Sequence, residues 1–237
     1  MRDLKTYSAL ALKAVAAGVR VLECRHCDRT VSVKESLRDI VTPVDEAVEK
    51  EISAVLSSAK VPLIGEETAR KHGAHSPAGD KWYVDPLDGT VNFVHGIPWY
   101  GVSIGLMRGD NFAAGALAFP AAGQLFYTMG GEAAFVNEHP LKAGAAVLED
   151  SLLAVSFSGR RSEPGRRDSE YLAFGELNDA SRGVLRTGSA ALNICFAAAG
   201  KLQTAFGFGN KLWDVAGALA VARAAGCEIF VEFIPGT

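Results

Sequence analysis

Asp85-Pro86-Leu87-Asp88-Gly89-Thr90 places two carboxylates three residues apart, at a sharp turn after a short strand-like run at residues 81–85. We expect the strand to stop at the proline, which bars continued pairing. The two carboxylates and the Leu87 carbonyl can then converge on one point, and hard cations such as Mg²⁺ bind oxygen atoms of this kind. The N–H groups of Gly89 and Thr90 can face a phosphate oxygen if a helix begins there. The alternative is an ordinary turn, since Asp and Gly are common turn residues.

Two further acidic junctions point to the same kind of site. Gly65-Glu66-Glu67 follows a short apolar run at residues 61–65, and Trp213-Asp214 opens a predicted helix. Each junction also has a simpler interpretation, which is a solvated loop for the two glutamates and an N-cap for the aspartate. Three acidic junctions of this type in one chain favour a shared cation site over three separate coincidences.

The hydrophobic pattern predicts helices and a meander in the first part of the chain. Residues 3–24 have helical periodicity, and Thr42 followed by Pro43 is a favourable start for a second helix that runs to about residue 58. Residues 29–34 have strand character. Residues 100–135 alternate short strands with turn signals, which predicts an antiparallel meander.

Beyond about residue 145 strands and helices alternate, which indicates an α/β layer. The predicted elements are, in order, a strand at 152–157, a polar loop at 158–168, a helix, a strand, a helix at 189–200, a strand at 202–206, a helix at 213–225 and a closing strand at 228–233. We therefore place the boundary between two subdomains near residue 143. The first, 1–143, carries most of the candidate ligands, and the second, 144–237, carries Asp214.

The bulk composition excludes several classes of partner. The 237 residues are 49% hydrophobic and 22% charged, which is typical of a globular protein that can bury a sizeable core. A net charge of -3 without a basic block argues against a nucleic acid polymer as partner. Lys13 and Arg20 interrupt the apolar stretch at residues 9–22, so neither a signal peptide nor a membrane span is predicted. We expect a cytoplasmic protein without a membrane partner.

The four cysteines do not form a recognisable framework. Cys24-Arg25-His26-Cys27 is a C-x-x-C pair, but no second pair follows at zinc-finger spacing, and this pair closes a predicted helix. We interpret its thiols as incidental, with metal or redox chemistry as the alternative. Cys195 and Cys227 lie in apolar stretches and are predicted to be buried.

The three acidic motifs, in this order and spacing, make the sequence similar to the inositol monophosphatase-like family of lithium-sensitive, Mg²⁺-dependent phosphatases. The motifs that carry the resemblance are Gly65-Glu66-Glu67, the segment at 85–90 followed by Asn92-Phe93, and Trp213-Asp214-Val215-Ala216-Gly217. Further agreeing features are Lys34, Val41-Thr42 with Asp45, and Gly188-Ser189-Ala190-Ala191 before Leu192-Asn193. The resemblance spans nearly the whole chain. It implies an α+β fold, a layered αβαβα sandwich of the inositol monophosphatase and fructose-1,6-bisphosphatase type with two packed subdomains, usually as a homodimer.

The resemblance also implies a set of metal ligands. Glu66, Asp85 and the Leu87 carbonyl would hold a first Mg²⁺ ion, while Asp85, Asp88 and Asp214 would hold a second. A third, weaker ion would contact Glu66 largely through water, and Mn²⁺ could substitute for Mg²⁺. Several carboxylates packed together repel one another without a cation, so we expect a site that tightens when metal binds.

The remaining roles implied by the resemblance concern water and substrate. Thr90 and Asp45 would orient and deprotonate the attacking water, and the amides of Gly89 and Thr90 would hold the phosphate, next to Asp88 and Asp214. Lys34 would lie on a mobile loop over the metals. The turn at 188–191, with Gly188 and Ala190, would face the substrate.

One position departs from the inositol-specific members of the family. These members carry a glutamate seven residues before the helix-opening aspartate, where it binds a sugar hydroxyl, and this chain has Gly207 there. Lys211 is instead a candidate for binding a second anionic group, with an exposed loop lysine as the alternative. The predicted substrate is a small phosphorylated metabolite, and inositol phosphate, histidinol phosphate, 3′-phosphoadenosine 5′-phosphate and fructose 1,6-bisphosphate all stay open.

A non-catalytic relative of the same family is the competing hypothesis for function. Such a protein would keep the fold and only bind a phosphate ligand, although every expected metal ligand is present in this chain. The end of the chain also differs from the family pattern. Family members continue well beyond the strand matched by residues 228–233, so we expect the last elements to be absent or altered here.

Overall fold

The computed structural model describes residues 3–24, 30–36, 39–72, 79–158 and 165–232. The α-helices are α1 (Leu4–Leu22), α2 (Pro43–Leu56), α3 (Glu66–His72), α4 (Thr90–Val94), α5 (Arg166–Asp179), α6 (Ala190–Ala198) and α7 (Leu212–Ala224). The strands are β1 (Ser32–Ser36), β2 (Asp39–Val41), β3 (Leu63–Gly65), β4 (Asp80–Asp88), β5 (Gly101–Arg108), β6 (Asn111–Phe119), β7 (Gln124–Met129), β8 (Ala133–Val136), β9 (His139–Pro140), β10 (Leu153–Ser156), β11 (Val184–Leu185) and β12 (Thr204–Gly207).

A seven-stranded sheet in the order β3-β4-β5-β6-β7-β8-β9 is the largest sheet among the described residues. β3 and β4 are parallel, and all other neighbours are antiparallel. The run from β5 to β8 is the meander that the turn signals predict. β4, β5 and β6 are buried along nearly their whole length. Strands with helices on both faces have such continuous apolar sequences, without alternation.

Helices α1 and α2 cover one face of this sheet. Asp3 caps α1 by accepting the Thr6 N–H at 2.7 Å, and Pro43 is the first residue of α2, as its sequence predicts. The apolar faces of both helices pack into one cluster with side chains of β4, β5 and β6. Full burial of a single side chain such as Ile52 contributes about 1.5–3 kcal/mol to folding.

Helix α7 lies on the opposite face of the sheet, at a distance that only glycines allow. A Cβ atom added at Gly115 would lie 2.1 Å from the Gly217 carbonyl oxygen, and one added at Gly105 would lie 2.4 Å from the Gly217 nitrogen. No side chain fits between the helix and the sheet at this crossing. Because α7 lies so close to the sheet, Asp214 in the first turn of this helix lies near Asp85 of β4.

A second, parallel sheet in the order β11-β10-β12 completes the layers. α6 packs against α7 and against this sheet, and α5 packs against β11. The layers therefore run α1 and α2, large sheet, α6 and α7, small sheet, α5, which confirms the αβαβα order. The boundary near residue 143 falls between the two sheets. The division into subdomains stays a prediction, because α7 belongs to the second part of the chain and packs on the sheet of the first.

The prediction that the strand ends at Pro86 is wrong. β4 continues to Asp88, and its register with β5 shifts between the pairs Asp85–Ser103 and Asp88–Gly101. Pro86 and Leu87 thus lie opposite a single residue of β5, which is a bulge. A proline is tolerated at a bulge because no ladder hydrogen bond is required from it there.

The predicted closing strand at 228–233 is also not found. Residues 228–232 have no strand assignment, and residue 233 lies outside the described part of the chain. A strand needs a neighbour for its ladder of hydrogen bonds, and none of the described strands pairs with this segment. Ile229 nevertheless packs against the apolar cluster formed by α6 and α7.

The structure describes the cysteines and Lys34 only in part. Cys24 is exposed just after α1, while Cys27 lies outside the described residues. Cys195 is buried as predicted, whereas Cys227 is only partly buried. Lys34 lies in β1, but the structure does not describe its side chain.

Of the described helices, none is both long and apolar enough to cross a bilayer.

Candidate metal centre and active site

A cavity of about 240 Å³ opens where β4, β10, α4, α6 and α7 meet. Most of the predicted site residues line it, together with neighbours that the sequence did not single out. The lining residues are Ile40, Glu66, Asp85, Leu87, Asp88, Gly89, Thr90, Val91, Val155, Ser156, Phe157, Arg186, Gly188, Ser189, Ala190, Asn210 and Asp214. The motifs at 65–67, 85–90 and 213–217 therefore meet at one cavity, although more than a hundred residues separate the second from the third.

Three carboxylates converge in this cavity. One oxygen atom each from Glu66, Asp85 and Asp214 lies within 4.8 Å of the other two. Asp85 is buried at the bulge of β4, where its Oδ1 accepts the Leu87 N–H at 3.0 Å. Glu66 is the first residue of α3, so the interpretation of this segment as a solvated loop is wrong. Asp214 lies in the first turn of α7 rather than at its N-cap, and its Oδ2 accepts the Lys211 N–H at 2.6 Å.

Asp85 and Asp214 are held in surroundings that disfavour their charged forms. Burial raises the pKa of Asp85 well above its usual range, and the charges of Glu66, Asp88 and Asp214 raise it further. Burial, followed by the charge of Glu66, raises the pKa of Asp214 to about 8. Clustered acids of this kind supply the hard oxygen donors that divalent cations such as Mg²⁺ require. The residues present therefore fit a metal centre.

These raised pKa values predict an inverse dependence of stability on pH. An acid whose pKa is higher in the folded protein than in the unfolded chain favours folding when it is protonated. Its stabilising contribution is complete at a pH below its pKa in the unfolded chain, and it is lost as the pH rises through its pKa in the folded protein. With the pKa of Asp214 at about 8 and that of Asp88 at about 7, we expect the metal-free protein to lose thermal stability between about pH 5 and pH 8.5. Melting temperatures in the presence of a chelator measure this loss, and Mg²⁺ added at the upper pH should reverse it. A flat profile would contradict the description of these groups.

Asp88 lies in the same cavity but is held differently. Its Oδ2 accepts a short hydrogen bond from the Ser189 hydroxyl. Burial raises the pKa of Asp88 to about 7, while the bonds from Ser189 and from the backbone of Ala190 and Ala191 lower it. Asp88 is not one of the three mutually close carboxylates. It instead joins the end of β4 to Ser189, the N-cap of α6.

The predicted pair Thr90 and Asp45 is in contact. The Thr90 hydroxyl lies 3.3 Å from Asp45 Oδ1 and 2.9 Å from the Leu87 carbonyl oxygen. Asp45 is buried in the first turn of α2, where its Oδ2 accepts both the Thr42 N–H at 2.8 Å and the Thr42 hydroxyl at 2.7 Å. These two bonds fix the carboxylate so that its Oδ1 faces Thr90. Gly89, just before α4, has a φ of 83°, a left-handed conformation that glycine adopts readily.

Asn92 connects α4 to the turn that precedes α6, a role that its place in the motif did not reveal. Its Nδ2 donates to the Trp99 carbonyl oxygen at 2.7 Å and to the Thr187 carbonyl oxygen at 2.9 Å. A Cβ atom at Gly188 would lie 3.0 Å from this same nitrogen. Asn92 therefore fixes the segment before α6 against α4, and the glycine at 188 leaves room for the amide.

The substrate-side residues agree only in part with the sequence prediction. Gly188 and Ala190 line the cavity as expected. Among the described residues, Asn210 and Arg186 line it, whereas Lys211, the N-cap residue of α7, does not. A Cβ atom at Gly207 would lie 2.3 Å from Nδ2 of Asn210, so the asparagine amide covers the position that lacks a side chain. Neither Asn210 nor Arg186 belongs to a motif, and no local signal in the sequence distinguishes them.

Comparison with known proteins gives consistent matches along the whole fold. A family model described as the inositol monophosphatase family matches residues 3–231. The Nus factor SuhB of Pseudomonas aeruginosa is 33% identical over 223 residues, which cover 92% of this chain and 82% of that protein. The inositol-1-monophosphatase SuhB of Mycobacterium tuberculosis is 35% identical over 214 residues, with coverages of 86% and 73%. The solved structure of inositol monophosphatase from Anabaena matches with a TM-score of 0.81 at 29% identity, and the match covers 94% of this chain and 82% of that one.

Proposed function

The chain belongs to the inositol monophosphatase family, and we therefore propose that it is a phosphoric monoester hydrolase that acts on a small phosphorylated metabolite with the help of divalent cations. One observation carries this proposal. Three carboxylates from distant segments, Glu66, Asp85 and Asp214, bring oxygen atoms within 4.8 Å of one another beside the Gly89–Thr90 backbone. A cation site beside these two residues suits a phosphate ester, whose own negative charge would otherwise be repelled by the acidic cavity.

The residues proposed to hold two or three Mg²⁺ ions are Glu66, Asp85, the Leu87 carbonyl, Asp88 and Asp214. The raised pKa values of Asp85 and Asp214 support this assignment, since a bound cation would stabilise the charged carboxylates that burial, and then the neighbouring negative charges, disfavour. When bound, such cations lower the pKa of a water molecule and neutralise part of the phosphate charge. Mn²⁺ offers similar coordination chemistry and is expected to substitute.

The protein groups proposed to act on the attacking water are Thr90 and Asp45. The Thr90 hydroxyl would take one proton from the water as its own proton passes to Asp45 Oδ1, 3.3 Å away, which would leave a hydroxide to attack the phosphorus and a protonated Asp45. The bonds from Thr42 to the other Asp45 oxygen keep the carboxylate aimed at Thr90. Gly89 and Thr90 line the cavity, and their amides are proposed to bind phosphate oxygens. The family resemblance supports a role for Lys34, a residue of β1, in the same site.

The far side of the cavity is proposed to receive the leaving group, beside Gly188 and Ala190. Its wall combines a guanidinium from Arg186, an amide from Asn210 and the ring of Phe157, which stacks on Tyr171 with centroids 4.9 Å apart. These groups suit a leaving alcohol that carries further hydroxyl groups or an aromatic ring, together with a second anionic group. We propose Arg186, in place of Lys211, as the residue that binds this second anionic group. Composition supports a cytoplasmic location, and the family resemblance supports a homodimer.

A substrate panel tests the proposal. We expect phosphate release from at least one of myo-inositol phosphate, histidinol phosphate, 3′-phosphoadenosine 5′-phosphate and fructose 1,6-bisphosphate. Release should require Mg²⁺, stop in chelator and return with Mn²⁺. If Mg²⁺ stabilises the protein against heat but no ester is hydrolysed, the chain is a non-catalytic binding relative. If no divalent cation has any effect on stability or activity, the metal centre itself is refuted.

A further inference from the structure

Helix α3 begins without a capping side chain of its own. Its first residue is Glu66, one of the three converging carboxylates, and the residue before it is Gly65, which has no side chain. A helix start leaves backbone N–H groups without intrahelical partners, and these usually bond to a nearby Ser, Thr, Asp or Asn. At α3 the acceptor comes from a different helix.

Glu49 of α2 supplies this acceptor. Its Oε2 accepts the Glu67 N–H at 2.8 Å, and its Oε1 accepts the Thr68 N–H at 2.9 Å and a short bond from the Thr68 hydroxyl. The residue as a whole is only 4% exposed. A buried carboxylate is costly unless it is hydrogen-bonded, and the N-terminal end of a helix favours a negative charge. Glu49 and the first turn of α3 therefore stabilise each other.

Gly65 makes this arrangement possible. A Cβ atom at this position would lie 2.4–2.6 Å from the carboxylate carbon and both oxygens of Glu49. The glycine is needed here for space rather than for an unusual backbone conformation, because its φ is not positive. Any larger residue would have to push Glu49 away from the amides that it caps.

We propose that Glu49 is a positioning residue which, by capping α3 from α2, aims the Glu66 carboxylate at Asp85 and Asp214 and so sets the cation affinity of the cavity. Because Glu66 and the capped amides are adjacent in one turn, a tilt of α3 moves the Glu66 oxygen atoms directly. Arg70, whose guanidinium lies 2.9 Å from Glu66 Oε1, is on the same helix and would move with it. Arg70 therefore cannot replace the anchor that Glu49 provides. This inference rests on the proposed function.

The test compares Glu49→Gln with Glu51→Gln, a matched change at an exposed position of the same helix. The readout is the Mg²⁺ concentration that gives half of the maximal rise in melting temperature, measured without substrate. Residues that orient a metal ligand typically contribute about 10–100-fold to metal affinity, and we expect Glu49→Gln to raise this concentration by about tenfold or more. At saturating Mg²⁺, kcat should stay within about threefold of the parent, while Glu51→Gln should change neither quantity.

A second pair of variants keeps the inference testable if Glu49→Gln does not fold. Gly65→Ala should displace Glu49 and raise the half-maximal Mg²⁺ concentration in the same way, and combining it with Glu49→Gln should add little. Gly175→Ala, where a Cβ atom meets nothing within 4 Å, is the control. Thr68→Val removes only the hydroxyl donor and should give a smaller shift in the same direction.

The outcomes separate the two proposals. Suppose that Gly65→Ala and Glu49→Gln each leave the half-maximal Mg²⁺ concentration unchanged while lowering the melting temperature in chelator. That result would show that Glu49 has a merely structural role, and it would overturn this inference alone. The inference is equally overturned if Glu49→Gln does not fold and neither Gly65→Ala nor Thr68→Val shifts the concentration. A parent protein that neither Mg²⁺ nor Mn²⁺ stabilises would overturn the proposed function, and this inference with it.

Discussion

Replacing Asp85 by asparagine is expected to lower kcat by about 10³-fold or more, which corresponds to about 4 kcal/mol of transition-state stabilisation. Asp85 is the most central of the converging acids, since Glu66, Asp88 and Asp214 all act on its charge. It is the ligand proposed to be shared by two cations. An amide keeps the size of the side chain but removes the negative charge and one of the two oxygen donors. Measuring kcat over a range of Mg²⁺ concentrations distinguishes weaker binding from slower chemistry.

The same variant provides its own check for folding. In chelator, Asp85→Asn should be more stable than the parent, because a buried carboxylate repelled by three others has been removed. An inactive protein with a higher melting temperature cannot be explained by misfolding. The control is Asp110→Asn in the exposed turn between β5 and β6, which should behave as the parent. Retention of kcat within about tenfold in Asp85→Asn would refute the assigned ligands.

The second large effect concerns stability. Gly115→Ala places a methyl group at a point 2.1 Å from the Gly217 carbonyl oxygen, where β6 and α7 are in direct contact. Neither a strand in the middle of the sheet nor a helix packed on it can move without disturbing its neighbours, and overpacking of this kind costs about 3 kcal/mol or more. For a chain of this size we expect the melting temperature to fall by about 10 °C.

Gly115→Ala should also weaken the response to Mg²⁺, because α7 carries Asp214 and would be pushed away from β4. Urea unfolding and the Mg²⁺-induced rise in melting temperature measure the two effects separately. Gly144→Ala is a suitable control, since its nearest neighbour would lie at an ordinary 3.7 Å. A loss below about 1 kcal/mol would mean that the helix and sheet adjust more easily than their packing suggests.

The sequence predicted the parts of the fold that depend on local chemistry. Helical periodicity and the Thr42-Pro43 start identified α1 and α2, and glycine-rich turn signals identified the meander from β5 to β8. Local rules failed where pairing partners decided the outcome. Pro86 did not end β4, because a bulge against β5 accommodates it. Residues 228–232 have strand-like composition but no described partner strand, and therefore form no strand.

By itself, the sequence determined which residues could bind a cation and a phosphate, because carboxylates at strand ends and a glycine turn are local features with defined chemistry. Only the tertiary structure decided which of them meet. The contact of α7 with glycines of β5 and β6 brings Asp214 to Asp85, and Glu49 reaches α3 from another helix. Such convergence depends on packing between segments that are far apart in the chain. Sequence periodicity reports on the face of each element but not on the distance between two of them.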